Sequence, residues 1–158
     1  MVSIPHDERL TIVIPALNEE EAIGKTIARC LEAREFIKDS SGISQVEIIV
    51  VSDGSTDRTA AIASEFHEVN VIVFPSNRGY GAAIKEGWRQ GSGTLLAFLD
   101  ADGTCDPRHF AEMCRLSLEE SADVVLDPAW DRNRKCQGRG ESATACTLFC
   151  SAFFAGGM

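Results

Sequence analysis

Two aspartates with one residue between them, Asp100 and Asp102, follow the apolar run Leu95, Leu96, Ala97, Phe98 and Leu99. Carboxylates two apart at a strand end can point to one side. Asp106 lies close in sequence. Unpaired carboxylates this near repel and raise each other's pKa. A divalent cation removes that repulsion, and hard oxygen ligands suit Mg²⁺ or Mn²⁺, which keep open positions for phosphate oxygens. The bland alternative is a pair of solvated loop acids. An apolar strand aimed directly at the pair argues against it.

Three further segments carry candidate chemistry. The stretch Pro15-Ala16-Leu17-Asn18-Glu19 closes an apolar run. Locally it reads as a helix start, with Asn18 as N-cap and Glu21 imitating a capping box. Functionally it reads as a turn holding a base or ribose. In Ser52-Asp53-Gly54-Ser55-Thr56-Asp57, Gly54 permits a tight turn, and Ser55, Thr56 or Asp57 caps the next helix. Asp53 can there accept base N–H groups or ribose hydroxyls. The segment Asn77-Arg78-Gly79-Tyr80-Gly81-Ala82-Ala83 allows close backbone approach at a helix N-terminus, where amides such as that of Gly79 can face an anion. Alone it reads more readily as a glycine turn with close helix packing.

The elements that must position these residues alternate. Residues 10–15, 46–52, 69–74, 95–100 and 123–126 read as strands, and residues 19–36, 57–66, 80–90 and 106–120 as helices. In the first helix Ile23, Ile27 and Leu31 share a stripe, and in the third Ile84, Gly87 and Trp88 form the packing face. Asp106-Pro107 opens the fourth helix with a capping carboxylate and a first-turn proline. This order implies a mostly parallel α/β sheet with helices on both faces. Continuous apolar strands fit burial on both sides. Ligands of such sheets bind beyond the carboxyl ends of the strands, where the motifs fall. Residues 127–142 read as a polar loop and residues 143–154 as one more helix.

Composition narrows the function classes. The chain has 158 residues, which suits one domain. A formal net charge of −9 disfavours a nucleic-acid partner but not a nucleotide, because one metal ion inverts the local field. The six cysteines form no C-x-x-C pair and read as mostly reduced thiols of a cytosolic protein. No signal-peptide core or membrane span is evident, so a cytoplasmic place, peripheral at most to a membrane, is expected. No glycine lies between Leu10 and Glu21, which disfavours a nicotinamide dehydrogenase, and no Walker A sequence is present.

The set VIPALNEE, VVSDGSTD, NRGYGAA and LDAD, in this order and spacing, resembles glycosyltransferase family 2. The branch it most resembles is that of dolichyl-phosphate mannose synthases and related polyprenyl-phosphate glycosyltransferases. The likeness covers about residues 10–126. It implies a Rossmann-like GT-A fold and metal-dependent transfer from a nucleotide-diphosphate sugar (GDP-mannose or a UDP-sugar) to a polyprenyl or dolichyl phosphate. By position it puts Pro15, Leu17 and Glu19 around the nucleotide, Asp53 on the base, Gly79 on the donor side, and Asp100 and Asp102 on Mg²⁺ or Mn²⁺. Asp102 is then the catalytic residue, fixing the ion that stabilises the departing diphosphate, with Asp100 assisting. A lipid-phosphate acceptor is already an anion and needs no general base.

The chain also departs from the family pattern. Ser52 stands where an acid is usual, and Thr104 where some members carry a glutamine. The stretch Asp127-Pro128-Ala129-Trp130 lacks an arginine common in this branch. Arg132, Arg134, Lys135 and Arg139 follow, as a phosphate clamp or a solvated basic loop. The expected division is a donor-binding domain over residues 1–126 and an incomplete acceptor side with an apolar C-terminal helix over residues 127–158. Leu148, Phe149, Phe153 and Phe154 suggest a homodimer contact or a membrane-surface contact. The competing class is a non-catalytic nucleotide-sugar-binding module, or a truncated transferase lacking a full acceptor site. A nucleotidyltransferase would carry a glycine-rich, arginine-containing loop after the first strand, and none is present.

Overall fold

The structure, a computed structural model, describes residues 7–120, residue 125 and residues 151–152. The elements are β1 (Arg9–Ala16), α1 (Ile23–Ser41), β2 (Gln45–Asp53), α2 (Thr59–Ser64), β3 (Asn70–Phe74), α3 (Tyr80–Gln90), β4 (Leu95–Phe98), α4 (His109–Glu120) and β5 (Ser151–Ala152). The strands lie in the order β3-β2-β1-β4-β5. β1 pairs in parallel with β2 on one side and with β4 on the other, so Val13 sits between Ile49 and Phe98. The chain steps outward from β1 through β2 to β3 and then returns to the far side of β1. The order therefore reverses between β1 and β4, and a crevice for ligands is expected at the carboxyl ends of those two strands.

Side-chain alternation divides each strand between two cores. Leu10, Ile12, Ile14, Ile48 and Val50 face α1, α2 and α4, where they meet Ile23, Ile27, Cys30, Ile37, Phe110 and Met113. Val13, Ile49, Val51 and Phe98 face α3 and meet Phe74, Ala83, Ile84 and Trp88. This is the expected mostly parallel α/β sheet with helices on both faces, and a right-handed return from β3 to β4 puts α3 opposite α1. Gly87 lets α3 approach closely, because a Cβ there would stand 2.4 Å from Val13 Cγ1.

Several local expectations are corrected. α1 begins at Ile23, with Ala22 at its N-cap and no side-chain cap. Asn18 instead adopts a left-handed φ of 53°, and its Oδ1 accepts from Thr56 N at 2.8 Å. A neighbouring turn thus takes the side chain that local capping rules assign to α1. Ser151 and Ala152 form a strand antiparallel to β4 rather than part of a helix, because the edge of β4 offers unpaired backbone groups. Of the strand expected over residues 123–126 only Val125 is described, and it is buried in the α1/α4 core. Cys30 and Cys114 are buried thiols outside any disulfide, whereas Cys105 is disulfide-bonded, one departure among the described cysteines from the expectation of mostly reduced thiols. Spacing along the chain does not show which cysteines the fold brings together. Arg132, Arg134, Lys135, Arg139 and the aromatic tail lie outside the described residues.

Candidate functional site

Three turns meet at the carboxyl edge of the sheet. The turns after β1 and β2 are clasped together by polar contacts between residues nearly forty apart. Asn18 N donates to Ser55 Oγ at 3.1 Å, Glu19 N to Thr59 Oγ1 at 2.8 Å and Glu20 N to Asp57 Oδ2 at 3.2 Å. Arg58 N donates back to Glu20 Oε2 at 3.1 Å. Asp57 Oδ1 also accepts from Thr59 N at 2.9 Å, one residue ahead of the N-cap position of α2, which Arg58 occupies without a side-chain cap. The clasp leaves the Leu17 side chain 43% exposed at the edge, keeps Pro15 buried in β1 beside Val51, and holds Glu19 part-buried.

The turn after β4 carries the acid pair. Alternation along β4 sends Asp100 to the same side as Phe98, toward α3, and the hydroxyl of Tyr80, the first residue of α3, donates to Asp100 Oδ1. Asp102 Oδ1 accepts from Thr104 N at 3.0 Å and Thr104 Oγ1 at 2.8 Å. α1 steadies this turn from the other face: Thr26 Oγ1 donates to Ala101 O at 2.8 Å and Arg29 Nη1 to Gly103 O. Burial, aided by the charge of Asp102, raises the Asp100 carboxyl above its ordinary range, and the Tyr80 hydrogen bond opposes the shift. Glu19 is raised by burial first, then by the charges of Asp102, Asp57 and Asp100. The corner of Glu19, Asp57, Asp100 and Asp102 is therefore a concentrated negative field.

This donor set suits a hard divalent cation. The oxygens are carboxylates, they face one another's charge, and Oδ2 of both Asp100 and Asp102 enters no hydrogen bond among the described residues. Among those residues no three His, Cys, Asp or Glu side chains form a metal cage. Two carboxylates with the remaining positions open is the usual protein share for Mg²⁺ completed by phosphates. Asp106 is engaged within its own turn. Its carboxylate accepts from Arg108 N at 3.0 Å and from Arg108 Nη2 at 2.7 Å, and Arg108 holds its pKa down at about 2.

The corner beyond β2 differs from expectation. Asp53, 4% exposed, alternates toward α3. Its Oδ1 accepts from Arg78 N at 2.7 Å and its Oδ2 from Gly79 N at 2.9 Å. The amides before α3 thus face an internal anion, Asp53, rather than open space. Gly54, at φ 72°, makes the approach feasible: a Cβ there would lie 2.3 Å from Asn77 N. Arg78 Cζ stands 4.5 Å from the centre of the Phe74 ring, a cation–π contact. Ser52, on the opposite face, has a buried hydroxyl without a hydrogen-bond partner among the described residues.

The structure therefore brings Glu19, Asp100 and Asp102 together at the β1/β4 reversal and puts Asp53 and Gly79 in one adjoining corner. Sequence reading missed Thr26, Arg29, Thr59 and the Tyr80 contact with Asp100. A threonine and an arginine inside an amphipathic helix carry no local signal that their polar atoms reach a turn more than seventy residues away.

The sequence profile of glycosyl transferase family 2 matches residues 11–145. A dolichyl-phosphate beta-glucosyltransferase of Trichomonas vaginalis is 37% identical over 98 residues, covering 60% of this chain and 30% of that protein. An undecaprenyl-phosphate 4-deoxy-4-formamido-L-arabinose transferase of Photorhabdus laumondii is 33% identical over 129 residues, covering 78% of this chain and 38% of that protein. The chain thus spans about a third of the length of the curated relatives it matches. Among solved structures, Staphylococcus aureus TarS 1-349 in complex with UDP superposes with a TM-score of 0.61 at 23% identity, covering 75% of this chain and 34% of that one. Mannosyl-3-phosphoglycerate synthase from Rubrobacter xylanophilus gives a TM-score of 0.57 at 22% identity, covering 71% and 36%. These likenesses make the fold GT-A. With most of its length matched, the chain belongs to glycosyl transferase family 2.

Proposed function

We propose that this chain binds a nucleotide-diphosphate sugar together with Mg²⁺ or Mn²⁺ and serves the transfer of the sugar to a polyprenyl phosphate. The observation that carries this reading is the placement of Asp100 and Asp102, each with one oxygen unbonded among the described residues, at the reversal point between β1 and β4. The names of the relatives, which describe dolichyl- and undecaprenyl-phosphate transferases, support the acceptor class. A divalent cation bound there would neutralise the diphosphate as charge grows on it. Asp102 and Asp100 would hold the ion, and Thr104, Thr26 and Arg29 would keep their turn in place. Pro15, Leu17 and Glu19 would line the nucleotide. Asp53 would shape the base pocket by fixing residues 78 and 79, with lone pairs remaining for a base N–H. An anionic acceptor would attack without a general base.

Lipid-phosphate acceptors place the work at a membrane surface. No helix among the described residues is long and apolar enough to cross a membrane, so we propose peripheral contact, with the apolar tail as its means or as a homodimer contact.

The test is thermal shift against UDP- and GDP-sugars with and without Mn²⁺. A ligand at a hundred times its Kd stabilises by about 2.7 kcal/mol, so a metal-dependent rise of several degrees with one nucleotide series is expected. No rise with any donor would overturn the reading. Donor binding without sugar release in the presence of polyprenyl phosphate would replace it with a donor-binding module.

A further inference from the structure

We infer that Tyr80 is the positioning residue that presents Asp100 to the divalent cation and joins the cation corner to the nucleotide corner. The inference rests on the proposed donor-and-cation reading of the site. Its starting point is a symmetry between the two acids. Each has Oδ1 tied by a hydrogen bond, Asp100 by the Tyr80 hydroxyl and Asp102 by Thr104, and each leaves Oδ2 open among the described residues. An ionised carboxylate has about four lone-pair sites, so the tether orients the group without exhausting it. Thr104 is a neighbour in the same turn, whereas Tyr80 comes from another element, twenty residues away.

Three contacts fix where that hydroxyl stands. Tyr80 directly follows Arg78 and Gly79, whose amides are held by Asp53. Its ring meets Phe98 edge-on, with centroids 6.1 Å apart and planes at 89°. Phe98 lies two residues before Asp100 and packs in the α3-side core. A continuous path thus runs from Asp53 through residues 78 and 79 and Tyr80 to Asp100. A nucleotide that settles against the Asp53 corner also settles the tyrosine that aims the metal ligand. Donors outside the ligand set that orient a metal-binding carboxylate commonly change affinity by about 10–100-fold when removed.

The experiment is Mn²⁺ titration of the full chain with UDP and with GDP, read by the electron paramagnetic resonance of free and bound Mn²⁺, for wild type, Tyr80→Phe and Asp100→Asn. Tyr80→Phe keeps the ring and its Phe98 contact, and Tyr80 is half-exposed, so the melting temperature without metal should stay within a degree or two of wild type. The expected result is roughly tenfold weaker Mn²⁺ binding in Tyr80→Phe, a larger loss in Asp100→Asn, and a smaller gain in Mn²⁺ affinity on adding nucleotide to Tyr80→Phe than to wild type. Mn²⁺ affinity of Tyr80→Phe within twofold of wild type would overturn the role of Tyr80 and leave the reading of the site standing. A wild type that binds no Mn²⁺ with either nucleotide would overturn both.

Discussion

Replacing Asp53 by asparagine separates two roles for this residue. If it serves only to meet a base, Asp53→Asn lowers nucleotide affinity and leaves the fold alone. The structure argues for a larger effect. Asp53 is 4% exposed and accepts two backbone N–H groups, at 2.7 Å from Arg78 and 2.9 Å from Gly79. Hydrogen bonds to a charged group contribute about 1.5–3 kcal/mol each. Asparagine keeps one acceptor oxygen but turns an NH₂ toward the second amide. One bond is lost, its buried N–H is left unsatisfied, and the surviving bond loses its charge. A loss of about 2–4 kcal/mol follows. At roughly 2–4 °C per kcal/mol for a chain near this size, the melting temperature should fall by about 5–15 °C. Urea unfolding followed by circular dichroism gives the free energy directly, and nucleotide titration on the same samples gives affinity. Stability within about 0.5 kcal/mol of wild type, with affinity reduced, would refute the internal-anion role.

Gly54→Ala strikes the same corner from the backbone. At φ 72° a side chain costs about 1–2 kcal/mol, and the added Cβ would lie 2.3 Å from Asn77 N; urea unfolding should show a loss above 2 kcal/mol. Thr26→Val keeps shape but leaves the Ala101 carbonyl without its donor at a 2% exposed position. A loss of about 1–3 kcal/mol is expected, together with weaker Mn²⁺ binding by titration, because the turn carrying Asp102 relaxes. Burial pushes the Cys30 thiol up to about 12, with Arg29 and Arg34 opposing. Since the folded pKa exceeds that of the unfolded chain, this group's stabilisation is full below about pH 9 and is lost as pH rises from 9 to 12. Cys30→Ala should therefore lose less stability than wild type over that window in alkaline unfolding curves, and parallel curves would contradict the shift. Tyr80→Phe adds the cation-affinity test given above.

The fold was legible in the chain because its signals are local. Continuous apolar runs such as that of residues 48–51 read as strands covered on both sides, and the alternation with helical stripes dictates a parallel sheet. Those rules place the carboxyl ends of the parallel strands β1 to β4 on one edge, so the gathering of Glu19, Asp53, Asp100 and Asp102 there followed from order alone. α3 begins and ends where its pattern says, at Tyr80 and Gln90.

What local pattern does not hold is which polar group answers which. Asn18 reads as a cap for α1, yet its partner is Thr56. Asp106 reads as a companion of Asp100, yet Arg108 takes it. Asp53 reads as a free acceptor, yet each of its oxygens already accepts an amide from some twenty-five residues on. In each case a hydrogen-bonding group bonds to whatever the packed strands bring within three ångströms, and strand order together with side-chain alternation decides that. Residue types and spacing determined that an acid pair stands at the end of β4. Only the tertiary arrangement decided that α1 braces its turn through Thr26 and Arg29, and that α3 aims one of its carboxylates through Tyr80.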